Sequence, residues 1–319
     1  MKKVFLLFII PILIFILGFC WFSVNSKSVL NEVKYRDFLI IKGSSASQIG
    51  NKLKKEGFIK SSLAFKLYVQ VSDKTKKIQA GEYRLSPGFS LSKIVSELIE
   101  GPVGVWTTVP EGLRREEVAY RFAESLDKED KMAFIKEFLQ SSLGQEGYLF
   151  PDTYIFLKSV QAQGVVQKMR ATFEKKEGKS LTQAIIVASL IERETKSAEE
   201  KPVVAGIIYK RLKAKWPLQI DATLQYAVGS SKCKTSYTTC NWWVPLTKED
   251  LEINSPFNSY EIAGLPPSPI ANPGILSIKA AIYPEESDYW FYLHDEKGII
   301  HFARTIDEHN ANIKKYLGK

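Results

Sequence analysis

The sequence is poor in the side chains that bind metals and drive most nucleophilic chemistry. Its 319 residues include three histidines, His294, His301 and His309, and three cysteines, Cys20, Cys233 and Cys240. The histidine spacings match neither a helical His-x-x-x-His pair nor a zinc finger, and no Cys-x-x-Cys occurs, so no metal or other cofactor is expected. A Gly-x-Ser-x-Gly elbow, a P-loop and a His-Glu-x-x-His motif are missing too, which argues against the serine-hydrolase, nucleotide-dependent and zinc-protease classes. Apolar material is plentiful at 45%, with 12% aromatic residues, enough for two ordinary domains with cores. A disordered chain or a disulfide-stapled miniprotein does not fit.

Basic residues exceed acidic ones, 44 against 35, for a net charge of +9. What that excess means depends on the compartment, and the first 27 residues bear on it. After Lys2 and Lys3 comes a run from Val4 to Phe22 with no charge, interrupted only by Pro11 and Gly18. At the helical rise this run matches a hydrocarbon core of about 30 Å, and the preceding lysines favour a cytoplasmic N-terminus. The alternative is a cleaved signal peptide, but its apolar stretch would normally be shorter and the only passable cleavage pattern is Val24-Asn25-Ser26. Cys20 follows Phe19, where a lipoprotein signal needs a small residue. A single-pass anchor with the rest of the chain exported is therefore expected. Outside the cytoplasm the positive charge points to anionic lipid headgroups or an acidic wall polymer and not to nucleic acid. Cys233 and Cys240 could there close a short disulfide loop, worth about 2 to 3 kcal/mol, the alternative being two buried thiols.

The first third of the chain repeats itself. Gly43-Ser44-Ser45-Ala46-Ser47-Gln48-Ile49-Gly50-Asn51-Lys52-Leu53 matches Gly88 to Leu98 at Gly, Ser, Ser, Ile and Leu, and a weaker third copy runs from Gly112 through Val118 to Phe122. Each follows a strand-like stretch, Phe38 to Ile41, Tyr83 to Leu85 or Trp106 to Val109, and enters an amphipathic helix. These strand-turn-helix units resemble the LysM-like wall-binding module, although any such unit needs a glycine turn and an apolar i, i+4 pair.

Residues 123 to 143 are charged and helical, and Gly144 to Tyr154 opens a region dense in aromatics and turns. A helix is predicted from Ser180, with Gln183 completing a capping box, and its run Ala184 to Ile191 is apolar almost all round, as befits the middle of a domain. It ends in Glu192-Arg193-Glu194-Thr195. At about 100° per residue the two acids point roughly 200° apart. Glu192 shares the stripe of Ile185, Ala188 and Ser189, and Glu194 the greasier stripe of Val187, Leu190 and Ile191. A carboxyl against an apolar wall holds its proton toward neutral pH. The same pattern also fits acids paired with Arg193, Lys196 or Arg211 at a solvated helix end. Further on come Trp216 to Tyr226 and the stretch Ser255 to Gly274, stiffened by Pro256, Pro266, Pro267, Pro269 and Pro273. A rigid loop bearing amides, hydroxyls and aromatics suits a sugar cleft, or else a loop that satisfies its own backbone. The tail reads as a hairpin, Trp290 to Leu293 and Ile299 to Phe302, packing a helix from Ile306 to Leu317.

Four ordered motifs, Glu146 to Tyr154, Ala188 to Thr195, Leu218-Gln219-Ile220-Asp221-Ala222-Thr223 and Ser255 to Gly274, stand behind the apolar N-terminus and the repeated units. In that order they resemble the endolytic murein transglycosylase family MltG (YceG-like), over nearly the whole chain. The resemblance implies a lytic transglycosylase that cleaves the MurNAc-GlcNAc β-1,4 bond in nascent glycan strands, leaves 1,6-anhydro-MurNAc ends and terminates glycan elongation. It implies a bacterial inner-membrane location with the C-terminal domain in the periplasm or extracytoplasmic space, peptidoglycan strands as substrate and wall synthases as partners. The family's catalytic acid falls on Glu194; Arg193 stands where the family has Lys, Ile220 where Ser or Thr is common, and Ser268 where Gly is usual.

One carboxylate suffices for that chemistry, because the nucleophile is the substrate's own C6 hydroxyl; a hydrolase needs a second. Glu192, Gln219, Asp221, Asn258 and Tyr260 are the expected substrate-binding shell. Two other readings remain: a non-catalytic wall-binding scaffold, and a lysozyme-type muramidase with Glu192 or Asp221 as second carboxylate. The expected architecture is α+β: residues 1–27 as cytoplasmic N-terminus and anchor, 28–143 as LysM-like region and helical linker, and 144–319 as catalytic domain.

Overall fold

A computed structural model describes the backbone of residues 2–177, 182–233, 237 and 240–318, and the side chains of the same set without 2–12, 177 and 182. The fold is mixed α+β, as expected, and the chain divides into two compact units, Met1–Thr107 with Ile155–Ser159, and Thr108–Tyr154 with Val160–Lys319. The sequence-based boundary at residue 144 falls inside the second unit, because the helices on either side of it pack together.

In the first unit, helix α1 (Lys2–Asn25) is followed by β1 (Arg36–Ile40), α2 (Ala46–Lys55), α3 (Ser62–Val71), β2 (Gly81–Leu85), α4 (Leu91–Glu100) and β3 (Gly104–Thr108). Among the described residues no helix is long and apolar enough to cross a membrane. The side chains of residues 4–12, half of the run expected to span, lie outside the described set. Strands β1 and β2 pair antiparallel with Phe38 opposite Tyr83, and the sheet order is β1-β2-β3-β4, with β4 spanning Thr153–Leu157. Alternation turns Phe38, Ile40, Tyr83 and Leu85 inward, where they meet Leu53 and Ile49 of α2, Phe65 and Val69 of α3, and Ile94 and Leu98 of α4. The repeated signature has a local cause. Ser45 caps α2, with Gln48 reaching back in a full capping box, and Ser90 caps α4.

The second unit contains α5 (Arg115–Ser125), α6 (Lys131–Ser141), α7 (Ala162–Glu177), α8 (Thr182–Glu194), α9 (Glu200–Lys213), α10 (Asp221–Lys232), α11 (Ile275–Ile282), β5 (Phe291–His294), β6 (Ile300–Ala303) and α12 (Ile306–Leu317). Ser180, the expected cap of α8, lies outside the described residues. Helix α8 runs through the middle: Ile185, Val187, Ala188, Leu190 and Ile191 have no exposure, and α9, α10 and α11 pack around it. The hairpin β5-β6 pairs Phe291 with Ala303 and His294 with Ile300, and α12 packs on it, as the pattern of the tail predicts. The sulfurs of Cys233 and Cys240 meet, their Cα atoms 5.7 Å apart.

Gly206 lets the chain at Glu285 cross α9 at backbone distance; a Cβ there would collide with the Glu285 carbonyl. Gly206→Ala is expected to lower stability by about 1 to 3 kcal/mol. Gly164→Ala meets only a Val160 methyl at 3.3 Å and is expected to be neutral or stabilising. Urea denaturation of the two variants checks the contrast.

Candidate active site

Buried all round, α8 cannot turn about its axis, and its last residue, Glu194, emerges half-buried into a cleft of about 480 Å³. Thr195 follows it and bonds back to the Ile191 carbonyl at 2.7 Å, closing the helix. The Tyr292 hydroxyl, from β5, donates to Glu194 Oε2 at 2.8 Å. Burial raises the Glu194 carboxyl from 4.5 to about 7, more than the Tyr292 hydrogen bond and the charges of Arg193 and Arg211 pull it down, and the Asp221 carboxylate adds to the rise. A proton donor near neutrality is the result. Burial also drives the Tyr292 phenol well above its ordinary value, so it remains a donor.

The rest of the cleft has two characters. Gln219, Asp221 and Tyr260 join Glu194 and Tyr292 on a polar side, while Phe291, Leu293 and the α12 residues Ile306, Ile313 and Leu317 supply apolar walls. Tyr260 donates to Asp221 Oδ1 at 2.5 Å, so two of the expected shell residues meet directly. The segment that carries them is pinned. Gln219 N donates to the Ser259 carbonyl at 3.0 Å and Ile220 N to Ser259 Oγ at 2.9 Å. Gln219 itself has φ of 54°, a left-handed backbone that a non-glycine residue holds only when its surroundings impose it.

Glu192 and Asn258 are not in the cleft. Glu192, on the opposite stripe of α8, accepts from Gly274 N at 3.0 Å and Ser277 Oγ at 2.6 Å, with Lys201 Nζ at 3.4 Å. It serves the start of α11, where a negative charge suits the helix dipole. Asn258 is fully buried and spends its amide on its own loop, donating to the Leu251 and Ile253 carbonyls and accepting from Tyr260 N. Among the polar cleft residues outside the expected shell are Arg211, Tyr292 and His309. Arg211 donates to the Leu218 carbonyl at 2.7 Å and to that of Trp290 at 2.7 and 3.0 Å, tying the Gln219 segment to β5. His309 stacks on Phe291, and burial followed by the Arg211 charge pushes its imidazole down, toward the neutral form. No local pattern marks any of the three, since each acts across the fold.

The motif at residues 146–154 supports the cleft from elsewhere. Glu146 is buried, accepts from Asn272 Nδ2 at 3.0 Å and Arg115 N at 3.1 Å, and is pushed upward by burial and then by Glu116. Asn272 in turn accepts from Leu149 N and donates to the Leu113 carbonyl. The proline-rich loop is thus locked to two other motifs.

The raised Glu194 carboxyl has a thermodynamic cost with a defined pH window. Below about pH 4.5 the group is protonated in both folded and unfolded chains; as pH climbs from 4.5 to about 7 the unfolded chain ionises first and the fold loses stability. Glu194→Gln is therefore expected to stabilise the chain by about 2 to 3 kcal/mol at pH 8 and by less than about 1 kcal/mol at pH 5, measured by urea denaturation at both values.

The YceG-like family model matches residues 38–315. The chain is 34% identical over 311 residues to the endolytic murein transglycosylase of Bacillus subtilis (strain 168), covering 86% of this chain and 83% of that protein. It is 27% identical over 333 residues to the endolytic murein transglycosylase of Streptococcus pneumoniae serotype 2 (strain D39), covering 90% of this chain and 59% of that longer protein. Its fold is similar to the crystal structure of a yceG-like protein from Listeria monocytogenes, with a TM-score of 0.53 and 29% identity over 88% of this chain and 99% of that one. The match runs from within β1 to within α12 and takes in Glu194 and all four motifs, and on that extent the chain belongs to the YceG-like family.

Proposed function

We propose that this protein is an endolytic lytic transglycosylase that cleaves the MurNAc-GlcNAc β-1,4 bond of peptidoglycan strands, with Glu194 as general acid and then general base. The observation that carries the reading is the Glu194 carboxyl in the cleft, holding its proton to about pH 7 against a tyrosine donor. Protonated Glu194 gives its proton to the glycosidic oxygen as the C1–O bond breaks. The resulting carboxylate takes the proton from the O6 hydroxyl as O6 bonds to C1, which closes the 1,6-anhydro ring and returns the acid. A pKa near the working pH serves both half-reactions. The two-sided cleft fits the substrate: Gln219, Asp221 and Tyr260 face hydroxyl and amide groups, and the α12 wall receives sugar C–H faces and acetamido methyls. Apolar walls also limit water, which would otherwise compete with O6.

The relatives' printed name, endolytic murein transglycosylase, supports the reaction class. The finer features belong to the same proposal: α1 as a single-pass anchor holding the enzyme outside the cytoplasm, LysM-like wall contact by the strand-turn-helix units, a Cys233–Cys240 disulfide, wall synthases as partners, and release of strands as the termination of glycan elongation. A lysozyme-type hydrolase is the second reading, since Asp221 stands in the same cleft; Glu192 serves that role poorly because α11 and Lys201 hold it.

Incubation of glycan strands with the protein, followed by mass spectrometry, separates these. Anhydro ends are expected; reducing ends would indicate hydrolysis, and intact strands a scaffold. Glu194→Gln is expected to cut release of anhydro products by about 10²- to 10⁴-fold while glycan binding persists, and undiminished release would reject Glu194 as the acid. Tyr292→Phe removes a hydrogen bond that favours the carboxylate, so the alkaline limb of the pH–rate profile is expected to move up by about half a unit to one unit.

A further inference from the structure

Helix α3 presents an apolar stripe to solvent. Leu63, Leu67 and Val71, spaced by four on one face, are 54%, 41% and 87% exposed, while Ala64, Phe65 and Val69 on the other face fill the core. The sequence on either side of the stripe is rich in positive charge. Between Lys52 and Lys77 lie Lys52, Lys54, Lys55, Lys60, Lys66, Lys74, Lys76 and Lys77 against the acids Glu56 and Asp73, a net of +6 within a chain whose total is +9. Lys60, Lys76 and Lys77 are exposed, and Lys66 and Lys74 are half-buried beside the stripe, Lys74 lying over the Tyr68 ring. An exposed apolar stripe flanked by lysines has the composition of a helix that lies in a lipid headgroup layer.

The same helix meets the end of α1. Tyr68 of α3 stacks on Phe22 of α1 at 6.4 Å, 9° from parallel. The segment after α1 is then bound to the turn before α4: Leu91 N donates to the Ser26 carbonyl at 2.9 Å, Val29 N and Leu30 N to that of Pro87 at 3.0 Å, and Lys34 N to Ser86 Oγ at 2.9 Å. Gly88 admits this segment, since a Cβ there would collide with the Glu32 carbonyl. No free tether separates α1 from the unit that carries the stripe.

We infer that Leu63, Leu67 and Val71 of α3, with the surrounding lysines, dock into the headgroup region of an anionic bilayer. The rest of the first unit thereby lies on the membrane surface beside α1. An acidic wall polymer would match the lysines and leave three large apolar side chains in water, so the stripe favours lipid. The inference rests on the proposed anchor for its geometry and on the stripe and charge for its chemistry.

The full-length chain, with Cys20→Ser and Val71→Cys and a polarity-sensitive fluorophore at position 71, is reconstituted in nanodiscs of phosphatidylcholine alone or mixed with phosphatidylglycerol. A blue shift and quenching by lipid-borne nitroxide are expected in the anionic discs, falling at high salt. Lys66→Glu with Lys74→Glu is expected to lower the docked-to-undocked ratio by about ten-fold or more. Leu63→Ser with Leu67→Ser, tested with the same probe, is expected to lose the quenching at unchanged thermal stability, because both side chains are exposed. A probe equally exposed to water in both lipids would overturn the inference. So would quenching that depends on the lysines and not on Leu63 and Leu67, which would assign the surface to an anionic polymer. Alkaline washing of membranes tests the anchor separately: release of the chain removes the anchor reading, and binding to phosphatidylglycerol vesicles at neutral pH, compared between the probe-bearing parent and its Leu63→Ser, Leu67→Ser variant, then decides docking.

Discussion

The burial of α8 around its whole circumference is the constraint on which the second unit depends. Ile185, Val187, Leu190 and Ile191 are each removed from water, and each such side chain contributes roughly 1.5 to 3 kcal/mol. Any two of them offset the cost of holding the Glu194 proton. With neighbours on every side the helix has one allowed rotation, and that rotation decides which of its two terminal acids faces a cleft and which supports a neighbouring helix. The raised proton affinity of one carboxyl and the structural duty of the other, two residues earlier, follow from the same packing.

Around that axis the cleft is assembled by groups that satisfy backbone. Arg211 is buried and all its described hydrogen bonds go to carbonyls, those of Leu218 and Trp290. Asn258 and Asn272 do similar work for the proline-rich loop. Buried amides and guanidinium groups are costly to leave unpaired, so each connection holds its segment in a single arrangement. The strained backbone at Gln219 is tolerated because Ser259 and Arg211 fix the residues beside it.

Much of this was legible where the signal is local. The glycine turns, central apolar helix and terminal hairpin with its helix all rest on patterns a few residues long, and the separation of Glu192 from Glu194 rests on helix geometry alone. The departures arise where a side chain's partner is remote. Tyr292 meets Glu194 across 98 positions of sequence, and nothing in the run Trp290 to Leu293 distinguishes a tyrosine that holds an acid from one that fills a hairpin. Asn258 was grouped with Tyr260 as a sugar ligand because amides serve both purposes; only burial separates them. The boundary near residue 144 follows a change in composition, whereas α6 packs on α7 beyond it and Glu117 of α5 accepts from Trp243.

The cleft draws residues from α8, α9, the Gln219 segment, the Tyr260 loop, β5 and α12, stretches separated by up to a hundred positions or more along the chain. Contacts of such sequence separation form late, after loop closure has brought distant segments together. The cleft is therefore a property of the finished unit and of none of its parts. A chain that has collapsed but not yet seated α12 on the hairpin lacks one wall of the cleft, so the cleft is complete only when the last helix of the chain has docked.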